Sequence, residues 1–148
     1  MTDHDVRLFE DDAAVAHVGD GLILRTLPRA EWTHEAHLAA CLYIVRDRRE
    51  IVPERDLPGI IRRYNESVGG ANDDHQGYHE TITQAFLAAV RAHLAERPAG
   101  EGLVRSVNAL LLSPRGRRDW PLGHYSHALL FSVAARRRFV APDIAPLP

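Results

Sequence analysis

Apolar residues recur at helical spacing along most of this chain, and this periodicity limits the fold more than any other feature. In EWTHEAHLAACLYIV, residues 31–45, the positions i, i+3, i+4 and i+7 of one helix face are apolar. They are Leu38, Cys41, Leu42 and Val45. No segment shows the sustained alternation of a strand, although a short strand could lie in GLILRTL. The sequence therefore predicts an all-α fold.

Glycine, proline and capping residues divide this pattern into about five to six helices. The first helix is predicted to end at Gly19 and Gly21, and the longest to span about residues 75–96. The predicted N-terminal capping residues are Asp11 or Asp12, Thr33, Asp56, and Asp73 or Asp74. A short sixth helix is predicted after Asp119, with Pro121 in its first turn. Three prolines in VAPDIAPLP exclude a helix there, and its apolar residues predict a tail that packs on the body of the protein. We therefore expect a single-domain compact helical bundle over residues 1–148, with a proline-rich extended C-terminal tail.

Composition restricts the partners and the compartment. With 148 residues, 45% of them apolar, the chain can bury the core of one domain. A formal net charge of −2 gives no overall attraction to nucleic acid or anionic membrane, and no apolar run approaches the roughly 18 residues that span a bilayer. The single cysteine, Cys41, lies in an apolar run and is typical of a buried thiol in a reducing compartment. We expect a soluble cytoplasmic protein that binds neither nucleic acid nor membrane.

Three histidines at predicted helix starts are the candidate functional residues. His34 and His37 are three residues apart, so they share one helix face and continue its apolar stripe into the first turn. His79, in GYHETITQAF, also points to the apolar side of its helix. If the two helix starts are adjacent, three neutral imidazoles with an open position would suit a divalent transition metal such as zinc, iron, manganese or copper. HEAH has one residue fewer between its histidines than the zinc-protease motif H-E-x-x-H, so that motif does not match.

Other interpretations of the same residues stay open. Histidines in a first turn often bind backbone carbonyls or carboxylates, and His124 and His127 in GHYSH either join the site or lie exposed on a short helix. Aromatic residues near the same helix ends favour a small-molecule cleft without metal, in which one histidine is a general base. They are Trp32, Tyr43, Tyr64, Tyr78, Trp120 and Tyr125.

The chain has no G-x-S-x-G, G-x-G-x-x-G or P-loop motif, so we expect no serine-hydrolase elbow and no nucleotide loop.

Three stretches resemble a widespread uncharacterised family of small all-helical bacterial proteins. They are WTHEAHLAACLYIVRD, GYHETITQAFLAAV and HYSHALLFSVAARRRFVAPDIAPLP, which carry the motifs H-x-x-H-[LV] and Y-H-E-T-[IL]-T and cover most of the chain. The resemblance implies a helical domain and marks motif positions, but it implies no activity. These positions are His34, His37, Tyr78, His79, Glu80, Thr81 and Thr83. Position 124 is histidine where the family pattern has tyrosine, so His124 falls outside the shared motif.

The leading functional hypothesis is a metal-dependent, non-haem enzyme that acts on a small organic molecule. His34, His37 and His79 would bind the metal, and Glu80 or Tyr78 would serve as acid/base groups or support the ligands. The alternative is a non-catalytic helical module that binds a small molecule or a protein partner, with structural histidines. A DNA-binding helix-turn-helix rests only on the arginine clusters SPRGRRDW and AARRRF, and the negative net charge disfavours it. Homodimer formation is compatible with either leading hypothesis.

Overall fold

Helices form the regular elements of the structure. The computed structural model describes residues 5–148, and no strand occurs in that range. The α-helices are α1 (Asp12–Leu24), α2 (His34–Asp47), α3 (Pro53–Ser67), α4 (Glu80–Glu96), α5 (Leu103–Leu112), α6 (His127–Leu130) and α7 (Val133–Arg137). The all-α prediction is confirmed. GLILRTL, the one candidate for a strand, forms the end of α1 and the turn that follows it.

Local capping fixes the starts of α1 and α2, as predicted. The Asp11 carboxylate accepts the backbone N–H of Ala14 at 2.8 Å, and the Thr33 hydroxyl accepts that of Ala36 at 3.1 Å. Each bond satisfies one of the N–H groups that have no partner inside the first turn of a helix.

Helix α3 starts one turn earlier than predicted. It begins at Pro53, and the Asp56 carboxylate accepts the N–H of Val52 at 2.9 Å from inside the helix. The prediction that Asp56 precedes the helix was therefore wrong. Proline suits the first helical position because its ring presets the helical backbone angle and no N–H is needed there.

Helix α4 starts at Glu80 instead of near residue 75. Asp73 does not cap it, because its carboxylate accepts two backbone N–H groups of a separate turn, at 2.9 and 3.1 Å. Asp74 pairs with the guanidinium of Arg137 at 2.6 Å. Both acidic residues thus shape the loop before α4, and the predicted start was wrong.

Helix α1 continues through both glycines that were predicted to end it. A Cβ atom at Gly19 would lie 2.2 Å from the ring of Tyr43, and one at Gly21 would lie 2.9 Å from the Cβ of Leu27. These glycines therefore allow α1 to approach α2 and the following turn closely, and they do not mark a helix end.

The main core lies around α2, which packs against α1, α4 and α5. On its buried face Leu38, Leu42 and Ile44 are each at most 2% exposed. Asn108 of α5 fixes the segment before α1, because its side chain exchanges two hydrogen bonds of 2.9 Å with the backbone of Phe9. The first turns of α2 and α4 lie at the same end of this core, where they border a common cavity.

The C-terminal tail packs against a second, smaller cluster of buried apolar residues beside α4 and α6. The Thr81 hydroxyl donates to the carbonyl of Arg138 at 3.0 Å and accepts the N–H of Val140 at 3.1 Å. Val140 and Leu147 pack against this cluster, whereas Ile144 is 60% exposed. The tail is extended and lies on the body of the protein, as predicted, although not all of its apolar residues are covered.

Candidate functional site

A cavity of about 340 Å³ opens between the first turns of α2 and α4, with residues of α1 and α3 on its sides. Most of its lining is apolar: Leu22, Trp32, Leu38, Cys41, Leu57, Ile61, Ile82 and Phe86. The polar lining residues are Thr33, His34, His37, Thr83 and Arg118. A cavity of this size, with few polar groups on an apolar surface, is typical of small-molecule sites.

His37 has one ring nitrogen bound to the backbone. Its Nδ1 lies 2.7 Å from the carbonyl oxygen of Thr33, one turn earlier. A carbonyl only accepts, so Nδ1 carries the proton and donates it, and Nε2 keeps its lone pair. Nε2 has no hydrogen-bond partner within residues 5–148. The Trp32 ring lies over the imidazole at a centroid distance of 3.7 Å, which fixes the plane of the His37 ring.

The surroundings keep His37 neutral. The His37 side chain is exposed to solvent, but many protein atoms lie near the ring, and this partial desolvation lowers the pKa of His37 to about 4. The bond to the Thr33 carbonyl raises this pKa, whereas His34 and the positive charge of Arg118 lower it. At neutral pH the cavity therefore presents an unprotonated nitrogen, which can accept a hydrogen bond, take a proton or bind a metal ion.

His34 has the opposite tautomer. Its Nε2 donates to the carbonyl of Gly116 at 2.8 Å, and its Nδ1 has no hydrogen-bond partner in the described part of the chain. The ring meets Phe86 edge-on, with centroids 5.7 Å apart, and burial lowers the pKa of His34. Hereafter we call His34 Nδ1 and His37 Nε2 the lone-pair nitrogens.

Sequence reasoning did not find Arg118 as a member of this site. It is exposed at the rim of the cavity, and its side chain makes no hydrogen bond or ion pair with residues 5–148. Its place in a turn far along the chain gives no local signal. Cys41, by contrast, is the buried thiol that the apolar run predicted, and desolvation raises its pKa to about 12, so it is not a nucleophile.

His79 lies outside the cavity and caps α4. Its Nδ1 accepts the N–H of Ile82 at 3.1 Å, and its Nε2 donates to the carbonyl of Leu130 at 2.8 Å. Both ring nitrogens are thus engaged, and the residue is only 8% exposed. The structure brings His34 and His37 together in one cavity wall but places His79 in a separate, structural position.

Tyr78 and Glu80 contact each other beside that cap and do not line the cavity. The Tyr78 hydroxyl donates to the Glu80 carboxylate, and the Arg62 guanidinium lies 4.7 Å from the centre of the Tyr78 ring. Burial and the bond to Glu80 raise the pKa of Tyr78. This pair holds the loop before α4 against α3, which is a structural function for both residues.

The second histidine pair also lies elsewhere. His124 Nδ1 lies 3.2 and 3.0 Å from two carbonyl oxygens of the tail, and His127 is exposed beside the Phe131 ring. Neither residue lines the cavity. Within residues 5–148, no group of three or more histidine, cysteine, aspartate or glutamate side chains is arranged to hold a metal ion.

No protein-family model, curated protein or solved structure matches this chain. The family resemblance therefore stays a prediction. In residues 5–148, no helix has the length and apolar character needed to cross a membrane.

Proposed function

We propose that the protein binds a small organic molecule in the cavity between the first turns of α2 and α4. One observation carries this proposal: the two lone-pair nitrogens belong to residues that line a mostly apolar cavity of about 340 Å³. His34 is half-buried, so its free nitrogen gains from a hydrogen-bond donor that a ligand brings, and the exposed His37 offers a second acceptor to the same ligand. A ligand with an apolar body and an O–H or N–H group would pack against the apolar lining and donate a hydrogen bond to a lone-pair nitrogen.

Arg118 narrows the class of ligand. Its guanidinium stands at the rim of the cavity and presents donors to any group that projects towards solvent. A carboxylate there would form charge-assisted hydrogen bonds, which are stronger than neutral ones. We therefore favour a small amphipathic acid, with its apolar part inside the cavity and its carboxylate at Arg118.

Binding is better supported than catalysis. The neutral His37 can take a proton from a bound substrate at Nε2, and the Thr33 carbonyl would steady the resulting imidazolium. A pKa of about 4 makes this imidazole a weak base, however. Glu80 and Tyr78 have no part in the proposal, because they lie outside the cavity lining.

Titration of ¹⁵N-labelled protein with benzoate and benzyl alcohol tests the binding proposal. We expect chemical-shift changes that concentrate on the cavity residues, and we expect Arg118→Gln to weaken benzoate binding about tenfold while leaving benzyl alcohol unaffected. Arg117→Gln is the matched control, since this neighbouring arginine does not line the cavity. Shifts spread over the surface, or equal effects of the two arginine variants, would contradict the proposal.

A metal ion on His34 and His37 is the second candidate. Histidines that bind metals usually donate their other N–H to a carbonyl or carboxylate, and both of these rings donate to backbone carbonyls. Zinc, iron, manganese or copper would complete its coordination with water or substrate, and would activate that water. This candidate ranks second because Arg118 brings a positive charge to the same cavity.

Metal analysis of protein purified without a histidine tag separates the two metal hypotheses. A site of two histidines loses its metal in His34→Ala and His37→Ala and keeps it in His79→Ala. A site of three histidines loses it in all three variants. If the wild-type protein contains no metal, and if added zinc, iron, manganese and copper leave its melting temperature unchanged, both hypotheses are wrong.

A further inference from the structure

A second cavity, of about 400 Å³, lies at the opposite end of α2 and α4, next to the start of α5. Four arginines line it: Arg46, Arg49, Arg91 and Arg97. The other lining residues are Val45, Leu94, Pro98, Gly100, Glu101 and Ser106. None of these residues belongs to the histidine cavity.

The arginines exceed the acidic groups that pair with them. Arg97 and Glu101 form a bidentate pair at 2.7 and 2.6 Å, and Arg91 binds Glu54 in the same way at 2.7 and 3.0 Å. Arg46 lies 3.5 Å from the carboxylate of Asp47. Arg49 forms no ion pair within residues 5–148. The cavity therefore keeps an excess of positive charge, which favours an anion.

Two donors in the wall of this cavity have no partner. Ser106 is 2% exposed, and neither its Oγ nor the Nη1 of Arg46 forms a hydrogen bond within residues 5–148. The neighbouring Nη2 of Arg46 does have a partner, the carbonyl of Glu101 at 2.8 Å. Buried donors of this kind almost always have an acceptor in folded proteins, so each unpaired one requires an explanation.

We propose that this cavity binds a phosphate group. Guanidinium groups match phosphate oxygens in bidentate geometry, and a phosphate has enough oxygens to accept from several donors at once. The exposed Arg49 would hold its charge. Arg46 Nη1 and Ser106 Oγ, both closed to solvent, would each donate one further hydrogen bond after small side-chain movements uncover them. The volume of about 400 Å³ leaves room for a small molecule that carries the phosphate group.

Calorimetric titration with inorganic phosphate tests this proposal, with sodium chloride at equal ionic strength as the reference. We expect the wild-type protein to bind phosphate, and we expect Arg49→Gln and Ser106→Ala each to weaken binding about tenfold. Arg63→Gln is the matched control, because Arg63 is exposed on α3 and does not line the cavity. The same titration with glycerol 3-phosphate distinguishes a free phosphate ion from a phosphorylated small molecule, according to which probe binds more tightly.

Unfolding measurements show whether Ser106→Ala still folds, so that weaker phosphate binding by this variant is not mistaken for the effect of misfolding. Without phosphate, Ser106→Ala should be at least as stable as the wild type, since the hydroxyl that it removes has no partner. The stabilisation that phosphate gives the wild type should be smaller in this variant, as tenfold weaker binding requires. The proposal is wrong if phosphate stabilises the wild type no more than chloride does, or if both variants bind phosphate as tightly as the wild type.

Discussion

At the scale of single residues, three histidines at helix starts have different functions because their partners differ. An imidazole can donate from one nitrogen and accept at the other. His79 uses both nitrogens on backbone groups and so stabilises the start of α4. His34 and His37 each use one nitrogen on a carbonyl and keep the other as an acceptor. Residue type alone therefore does not distinguish a cap from a ligand-binding group.

Replacement of His79 should affect stability. His79→Ala removes the cap on the Ile82 N–H and leaves the Leu130 carbonyl without its donor, so we expect a loss of about 2–3 kcal/mol in the free energy of unfolding. Asparagine can still cap the helix but is too short to reach Leu130. His79→Asn should therefore lose less, about 1–2 kcal/mol, in urea unfolding. Equal stabilities of His79→Ala and wild type would contradict a structural role.

At the scale of helices, replacing glycine by alanine should have opposite effects on stability at positions 19 and 59. Gly19→Ala places a methyl group 2.2 Å from the Tyr43 ring, so α1 and α2 must move apart, at a cost of about 1–3 kcal/mol in stability. Gly59→Ala, in the middle of α3, meets only the flexible end of Arg63 at 3.0 Å. Alanine favours the helix over glycine, so this variant should gain about 0.5–1 kcal/mol.

Thermal unfolding of the two glycine variants gives the comparison directly. Both positions lie inside helices, so intrinsic helix propensity acts in the same direction in both proteins. If Gly19→Ala lowers the melting temperature while Gly59→Ala raises it, the difference is due to the contact between position 19 and Tyr43. A stabilising effect at Gly19 would mean that α1 and α2 are not packed as closely as described.

Local sequence signals predicted some helix boundaries correctly and failed at others. Thr33 and Asp11 were identified because a capping oxygen and the N–H group that donates to it lie within three residues of each other. Helix α4 was placed too early because its cap is a histidine, which is not a usual capping residue, whereas the usual capping types Asp73 and Asp74 bond elsewhere. The other nitrogen of His79 is held by Leu130, which lies 51 residues further along the chain. The role of Gly19 depends in the same way on Tyr43, a residue of another helix.

In the candidate site, too, contacts between residues close in sequence could be predicted, whereas contacts between distant residues could not. His34 and His37 could be placed together from sequence because helical geometry puts residues three apart on one face. The convergence of Arg118 with them depends on how the turn after α5 packs, and no spacing in the sequence reports that. The approach of α2 and α4 was only a condition of the metal hypothesis, and the residues of α4 that reach the cavity are Ile82, Thr83 and Phe86.

At the scale of the whole molecule, the lowered pKa values of four histidines predict that acid destabilises the fold. Desolvation lowers the pKa of His34, His37, His79 and His93, whereas histidine in an unfolded chain has a pKa of about 6.5. Between these values the unfolded chain binds protons that the folded protein does not. Stability is therefore complete above about pH 6.5 and should fall as the pH drops towards about 4, the value for His37.

The slope of the unfolding free energy against pH gives the number of protons that the chain takes up on unfolding. Urea unfolding between about pH 6.5 and 5.5 avoids most of the titration of carboxylates. His37→Gln should reduce the slope, since it removes one of the groups that takes up a proton on unfolding. His93→Gln should do the same, because the His93 ring donates to the Ser106 carbonyl as a buried neutral group. A slope that is flat in the wild type would contradict the pKa shifts.

The bond between Asn108 and Phe9 has a consequence for how the chain folds during synthesis. The two residues are 99 positions apart, so at translation rates of about 5–20 residues per second the ribosome needs about 5–20 s to make the second after the first. During that interval α1 can pair with α2, but its contacts with α5 do not yet exist. Phe9, the one half-buried residue of this segment, therefore lacks both of its bonds to Asn108 on the nascent chain until α5 has emerged.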